Sequence, residues 1–159
     1  MILEQDYQNA VREVEMLVQL KAKECQARGW SYYLTDDAPE TYEGLKKRSA
    51  YMNIPIADYG SDTSIYSPRI NGLFRFWHDV THLELDRGFS LSGEEVVCRE
   101  HLAEGKELGL SILALRILEA DTCGQVAYYF KHKKFVENQA AFVQSVLNRG
   151  LSNALRVKH

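Results

Sequence analysis

Apolar residues recur at helical spacing along most of this chain. Leu3, Tyr7, Ala10, Val14 and Leu17 follow one another at offsets of four and three, which places them on one stripe and predicts an amphipathic helix over about residues 3–28. Glu4 and Asp6 near its start and Lys21, Lys23 and Arg28 near its end complement the helix dipole, and Gly29 is a plausible stop. A short second helix, about 39–51, is expected after Asp37-Ala38-Pro39, with Pro39 in its first turn. A third, about 70–85, carries Phe74, Trp77, Thr81 and Leu85 on its apolar side. Ser92 and Glu95 fit an S-x-x-E capping box that opens a fourth helix, expected to reach about residue 108. The stretch Leu108–Leu118 is apolar nearly all round, which marks a central or interfacial helix. A last helix is expected over about 136–149, with a frayed tail beyond it.

Residues 53–70 break the helical period with Pro55, Gly60, Ser61, Asp62, Ser64, Ser67 and Pro68. Ile54-Pro55-Ile56 and Ser64-Ile65-Tyr66 suggest an irregular insertion or a small β-hairpin. The expected fold is therefore all-α: a single helical domain over 1–159, of five or six helices, with this insertion near 53–70.

Composition narrows the function more than the fold. A net charge of -3 provides no overall basic field, and Lys46-Lys47-Arg48 and Lys131-His132-Lys133-Lys134 are short runs that read first as solvated helix ends. No nucleic-acid partner and no membrane partner are expected. Cys25, Cys98 and Cys123 are odd in number and form no C-x-x-C pair, which fits reduced thiols. An acidic start without an apolar run after it adds to the expectation of a cytoplasmic protein.

The chemistry gathers around Phe76-Trp77-His78-Asp79-Val80-Thr81-His82. Four residues advance a helix by about 400°, so His78 and His82 project from one face, one turn apart, as two ligands of a single divalent ion would. On the fourth helix, Glu94, Cys98 and His101 fall at offsets of four and three, on one face. Glu95 is turned away from them and is expected to serve the cap. Asp121 follows the apolar helix, where an acid needs a partner such as a metal, a histidine, Arg75 or Arg116. The expected metal ligands are His78, His82, His101 and Asp121, and the expected metal is zinc, iron or manganese. Asp79, Glu94 and Arg75 are the expected catalytic groups: the acids as base, the guanidinium as anion holder.

His78-Asp79 resembles the His-Asp pair of the HD-superfamily phosphohydrolases, with Asp121 in the place of their late aspartate. That resemblance implies a helical, metal-dependent phosphohydrolase. It covers three residues, and the family's upstream histidine is missing, because His78 is the first histidine of the chain. The residues point to a small metal-dependent hydrolase of a phosphate- or acyl-containing small molecule, possible as a homo-oligomer. The alternative is a non-catalytic helical binding or regulatory protein in which the same polar residues form a structural network.

Overall fold

The first amphipathic stripe forms α1, Glu4–Ala27, in a computed structural model that describes residues 2–159. Its inner face buries Tyr7, Ala10, Val11, Val14, Leu17 and Val18, and Gly29 ends it at φ +98, a conformation open to glycine. The architecture is mostly helical and carries one small parallel sheet: α1, β1 (Ser31–Thr35), α2 (Tyr42–Arg48), β2 (Asn53–Ala57), α3 (Pro68–Leu85), α4 (Leu91–Leu108), α5 (Ile112–Glu119), a π-helical turn (Ala120–Gly124), α6 (Gln125–His132), α7 (Gln139–Arg149) and the single turn α8 (Leu151–Ala154). None of the described helices is long and apolar enough to cross a membrane.

The 53–70 segment departs from the expected hairpin. Ile54-Pro55-Ile56 does form a strand, but its partner is β1, in parallel, with Tyr32 opposite Ile54 and Leu34 opposite Ile56. Ile54, Pro55 and Ile56 are all buried, as suits a parallel strand covered on both faces, whereas a hairpin strand would alternate. The helix α2 makes the crossover that a parallel pair requires. It starts later than the sequence suggests because Thr41, not the Asp37-Pro39 stretch, caps it by accepting from Gly44 N–H.

α3 is the element that matters most for the site. Ser67 caps it, Pro68 occupies its first turn, and it lies against α1. Its buried side includes Phe76, Trp77, Val80, Thr81 and His82, whereas Phe74 is half-buried and Leu85, at the end of the expected stripe, is exposed, so the core face is turned from that stripe toward Phe76 and Val80. Its end is a left-handed Asp86 that turns the chain toward α4.

The start of α4 corrects a second expectation. Ser90 is the cap, accepting from Gly93 N–H, so the Ser92–Glu95 box does not form. Glu95 instead reaches Arg99 at 3.6 Å on the surface. The reason is steric. A Cβ on Gly93 would lie 2.0 Å from the Gly88 carbonyl oxygen, so the α3–α4 turn packs directly on the helix backbone there. Gly109, at φ +84, separates α4 from α5. Residues 112–132 then run as one continuous helical rod through the π-helical turn, with right-handed helical backbone at both of its junctions. The tail is ordered too: His159 bonds to Tyr128 and to Glu137 through its backbone.

Gly93→Ala should lose about 1–3 kcal/mol or more by overpacking against Gly88. Denaturant melts of the variant beside Ser92→Ala, whose side chain lacks a capping role, should show the loss in the first and not in the second.

Candidate metal centre

Helix α3 supplies His78 and His82, and α4 supplies Glu94 and His101. The turn between them fixes His82 first. Its Nδ1–H donates to the Arg87 carbonyl at 2.7 Å, while Arg87 N–H donates back to the His82 carbonyl at 2.9 Å. A carbonyl can only accept, so neutral His82 carries its proton on Nδ1 and presents a bare Nε2. The Phe89 ring stands edge-on to this imidazole, 5.0 Å away.

His78 is held from the other side. Its Nδ1 lies 3.0 Å from His101 Nε2, and its ring stacks on Phe74 with centroids 5.8 Å apart. His101 is fully buried against Trp77, with ring centroids 3.8 Å apart. Its Nδ1 faces Glu104 Oε2 at 3.7 Å, too far for a hydrogen bond, and both atoms are buried without another partner. Lys21 reaches Glu104 at 3.5 Å. If His101 keeps its proton on Nδ1, toward the acid, its Nε2 accepts from His78 Nδ1–H. His78 Nε2 is then also bare.

Three acceptor atoms meet as a result. His78 Nε2 and His82 Nε2 are 3.1 Å apart, and each is 3.2 Å from Glu94 Oε2. Zinc–nitrogen bonds of about 2.0–2.1 Å arranged tetrahedrally put neighbouring ligand atoms about 3.3 Å apart. The trio fits three corners of such a site and leaves the fourth for water or substrate. Among the described residues it is the one group of three or more acidic, thiol or imidazole side chains whose ligand atoms close to within 4.8 Å.

The charges agree with this geometry. Burial would raise the Glu94 carboxyl, but hydrogen bonds and charge from His78 and His82 bring it down to about 2. Burial alone would lower His78, yet the Glu94 hydrogen bond and the charges of Glu94 and Asp79 carry it above its ordinary value. His101 lies well below its ordinary value through burial, then through His78 and His82, and stays neutral. Asp79 is half-buried, makes no hydrogen bond among the described residues, and is pushed up to about 6 by burial against the opposing pull of His78 and His82.

The other expected residues stand differently. His101 touches His78 rather than the point where the ligand atoms meet, so it orients a ligand from outside. Glu94, expected as a base, is itself in the trio. Asp121 does not join it. The Asp121 carboxylate accepts from Gln125 Nε2–H at 2.8 Å and lies beside the buried Tyr66 hydroxyl; burial raises it to about 6. Arg75 donates to the carbonyls of Ala57, Tyr59 and Gly60 and so clamps that loop rather than facing an anion. The His78, Asp79 and Asp121 set implied by the His-Asp resemblance therefore does not assemble. What sequence reasoning missed is Arg87, whose contribution is a backbone carbonyl and leaves no side-chain signal, and Glu104, which lies three residues beyond His101 on α4 and is visible as a helical i,i+3 pair.

Asp121→Asn should leave metal content unchanged and should not lower the melting temperature at about pH 8, because it removes a desolvated charge and keeps an acceptor for Gln125. The buried titratable groups set a pH dependence whose sign follows from the shifts. His78, Asp79 and Asp121 all lie above their ordinary values, so each favours the fold in acid and ceases to as pH rises through the shifted value. Glu94 acts oppositely below its unfolded value of 4.5, and His101, held well below its ordinary value, acts oppositely below 6.5. The contribution of Asp79 is isolated by substitution: metal-free Asp79→Asn should melt higher than the wild type near pH 8, where the buried carboxylate is charged, and gain little near pH 5. Saturating zinc should raise the melting temperature of the wild type more near pH 8 than near pH 5, because protons compete with the metal for the imidazoles. Thermal melts in EDTA and in zinc at both values test it.

No family model, no curated protein and no solved structure matches this chain, so the role of the trio is argued from its own geometry.

Proposed function

We propose that His78, His82 and Glu94 hold one divalent transition metal, zinc, iron or manganese, and that the protein is a small metal-dependent hydrolase of a phosphate- or acyl-containing molecule. The observation that carries this reading is the convergence of two imidazole lone pairs and a carboxylate oxygen within 3.1–3.2 Å. Acceptors so close repel one another unless a cation lies between them. A metal in such a site would activate water and polarise the substrate's oxygen. Asp79 suits the base: it follows a ligand directly, is half-buried, and has an acidity shifted toward neutral. The mixed nitrogen and oxygen donors favour zinc, iron or manganese over calcium or magnesium.

A second reading has one observation behind it. With His78 doubly protonated, its Nε2–H would donate to Glu94 and its Nδ1–H to His101, which closes the network without a metal. The Glu94 hydrogen bond and the charges of Glu94 and Asp79, which carry the pKa of His78 above its ordinary value, favour this state. The protein would then be a helical binding or regulatory protein with a structural polar cluster.

Untagged protein should retain about one equivalent of metal by elemental analysis, and EDTA should lower its melting temperature. His82→Ala and Glu94→Gln should both lose the metal. Asp79→Asn should keep it while losing about 10²–10⁴-fold in turnover of whichever phosphate or acyl ester the wild type hydrolyses. Background metal and a melting curve indifferent to EDTA would leave the proton-bridged network as the account of the trio. Bound metal without hydrolysis across phosphate and acyl esters would keep the site and remove the reaction.

A further inference from the structure

The fold separates charge in a way that the net value hides. The end of α6 and the link to α7, residues 128–138, meet the closing segment 155–159. His132 Nε2 bonds to the Leu155 carbonyl at 2.9 Å, and Glu137 N–H bonds to the His159 carbonyl at 2.9 Å. These two stretches contain Lys131, Lys133, Lys134, Arg156 and Lys158 and a single acid, Glu137. Glu137 is paired with Lys134 at 2.9 Å, and the charge of Lys158 also bears on it. Taking these five cations and one acid from the chain's 19 and 22 leaves 14 against 21 for the remainder. One end of the molecule is thus strongly basic and the rest strongly acidic.

Apolar side chains stand among these cations. Phe135 is 78% exposed, Val157 43% and Tyr129 36%. Tyr129 stacks on Phe135 with centroids 4.7 Å apart and meets Phe130 edge-on, and Lys133 Nζ lies 5.4 Å over the Phe130 ring. Burial of apolar area would favour turning Phe135 inward, yet it stays exposed next to Lys134 in the chain.

We propose that this face binds the surface of an anionic membrane, with the lysines against lipid phosphates and Phe135 and Val157 entering the headgroup boundary. Two features favour a lipid surface over a nucleic acid. Four of the five cations are lysine, a point charge suited to a diffuse anionic surface, whereas nucleic-acid recognition favours the flat, bidentate guanidinium of arginine. Val157 has no face for a base to stack on, but it fits hydrocarbon. The acidic remainder would be repelled by the same surface, so the charge separation also orients the molecule with α6 toward the lipid. This contact is independent of the metal reading, because none of its residues belongs to the trio.

The test is co-sedimentation of the full chain with phosphatidylcholine vesicles, with and without about 30% phosphatidylserine, in about 0.1 M salt. Binding should require the anionic lipid and should weaken steeply as salt is raised toward about 0.5 M. Lys131→Gln with Lys158→Gln, both exposed side chains, should weaken it about 20–30-fold, from about fivefold per lysine. Phe135→Ser should weaken it about tenfold and leave the melting temperature unchanged. Equal sedimentation with neutral vesicles, or none with either, would overturn the proposal. So would tighter binding to a short single-stranded oligonucleotide than to the anionic vesicles, which would reassign the face to nucleic acid.

Discussion

A histidine taken wholly out of water needs partners for its ring nitrogens, and of the two fully buried ones His82 finds the Arg87 carbonyl while His101 has His78 on one side and only faces Glu104 on the other. The surroundings of the candidate centre follow from that constraint. It explains why the α3–α4 turn folds back so that the Arg87 carbonyl meets His82, and why His78 lies between the two buried rings. It also explains why Glu94 comes in from the next helix. The approach of α4 that brings Glu94 within 3.2 Å of both imidazoles depends on a bare glycine contact at Gly93 and Gly88. Backbone packing and side-chain chemistry are therefore one problem in this part of the molecule.

The order of groups outward from the trio is layered. His101 touches His78, Glu104 faces His101, and Lys21 of α1 reaches Glu104. The His101 contact orients His78, as outer partners of ligating histidines do, while Glu104 faces His101 at 3.7 Å without a hydrogen bond. The chain of contacts leads from a cation near the surface to an imidazole at the centre through four residues on three helices. α1 thus bears on the site although it contributes nothing to the trio.

Much of the helical fold was legible because helices announce themselves locally. The 3–28 stripe, the 70–85 helix and the His78–His82 spacing are all properties of one segment read by itself. The offsets of Glu94 and His101 on α4 were legible for the same reason. What was not legible depends on segments far apart in sequence. Ser31–Thr35 is short, and only its pairing with residues 53–57 makes it a strand. The choice of Ser90 over Ser92 as cap is local by contrast, but it goes with a backbone contact between Gly88 and Gly93 that leaves no periodic signal. Asp121 looked like a ligand because a buried acid needs a partner, and its partner is Gln125, four residues on along the same helical rod. Composition also concealed the basic end of the molecule, since the stretches 128–138 and 155–159 meet only after folding.

The π-helical turn at Ala120–Gly124 has a consequence for how this rod of helix can change over generations. A turn of that type holds about one residue more than an ordinary α-helical turn, and one residue corresponds to about 100° of rotation. Everything after it is therefore wound round relative to α5. Ile117 and Leu118 before the turn and Tyr128 after it are all fully buried, although a straight rod would set the second part at a different angle from the first. Loss of a single residue anywhere in 120–124 would relax the bulge into regular helix and swing α6, with its cationic end, out of phase with the body. Substitutions in this stretch change contacts, whereas a one-residue deletion changes the direction in which a whole face of the protein looks.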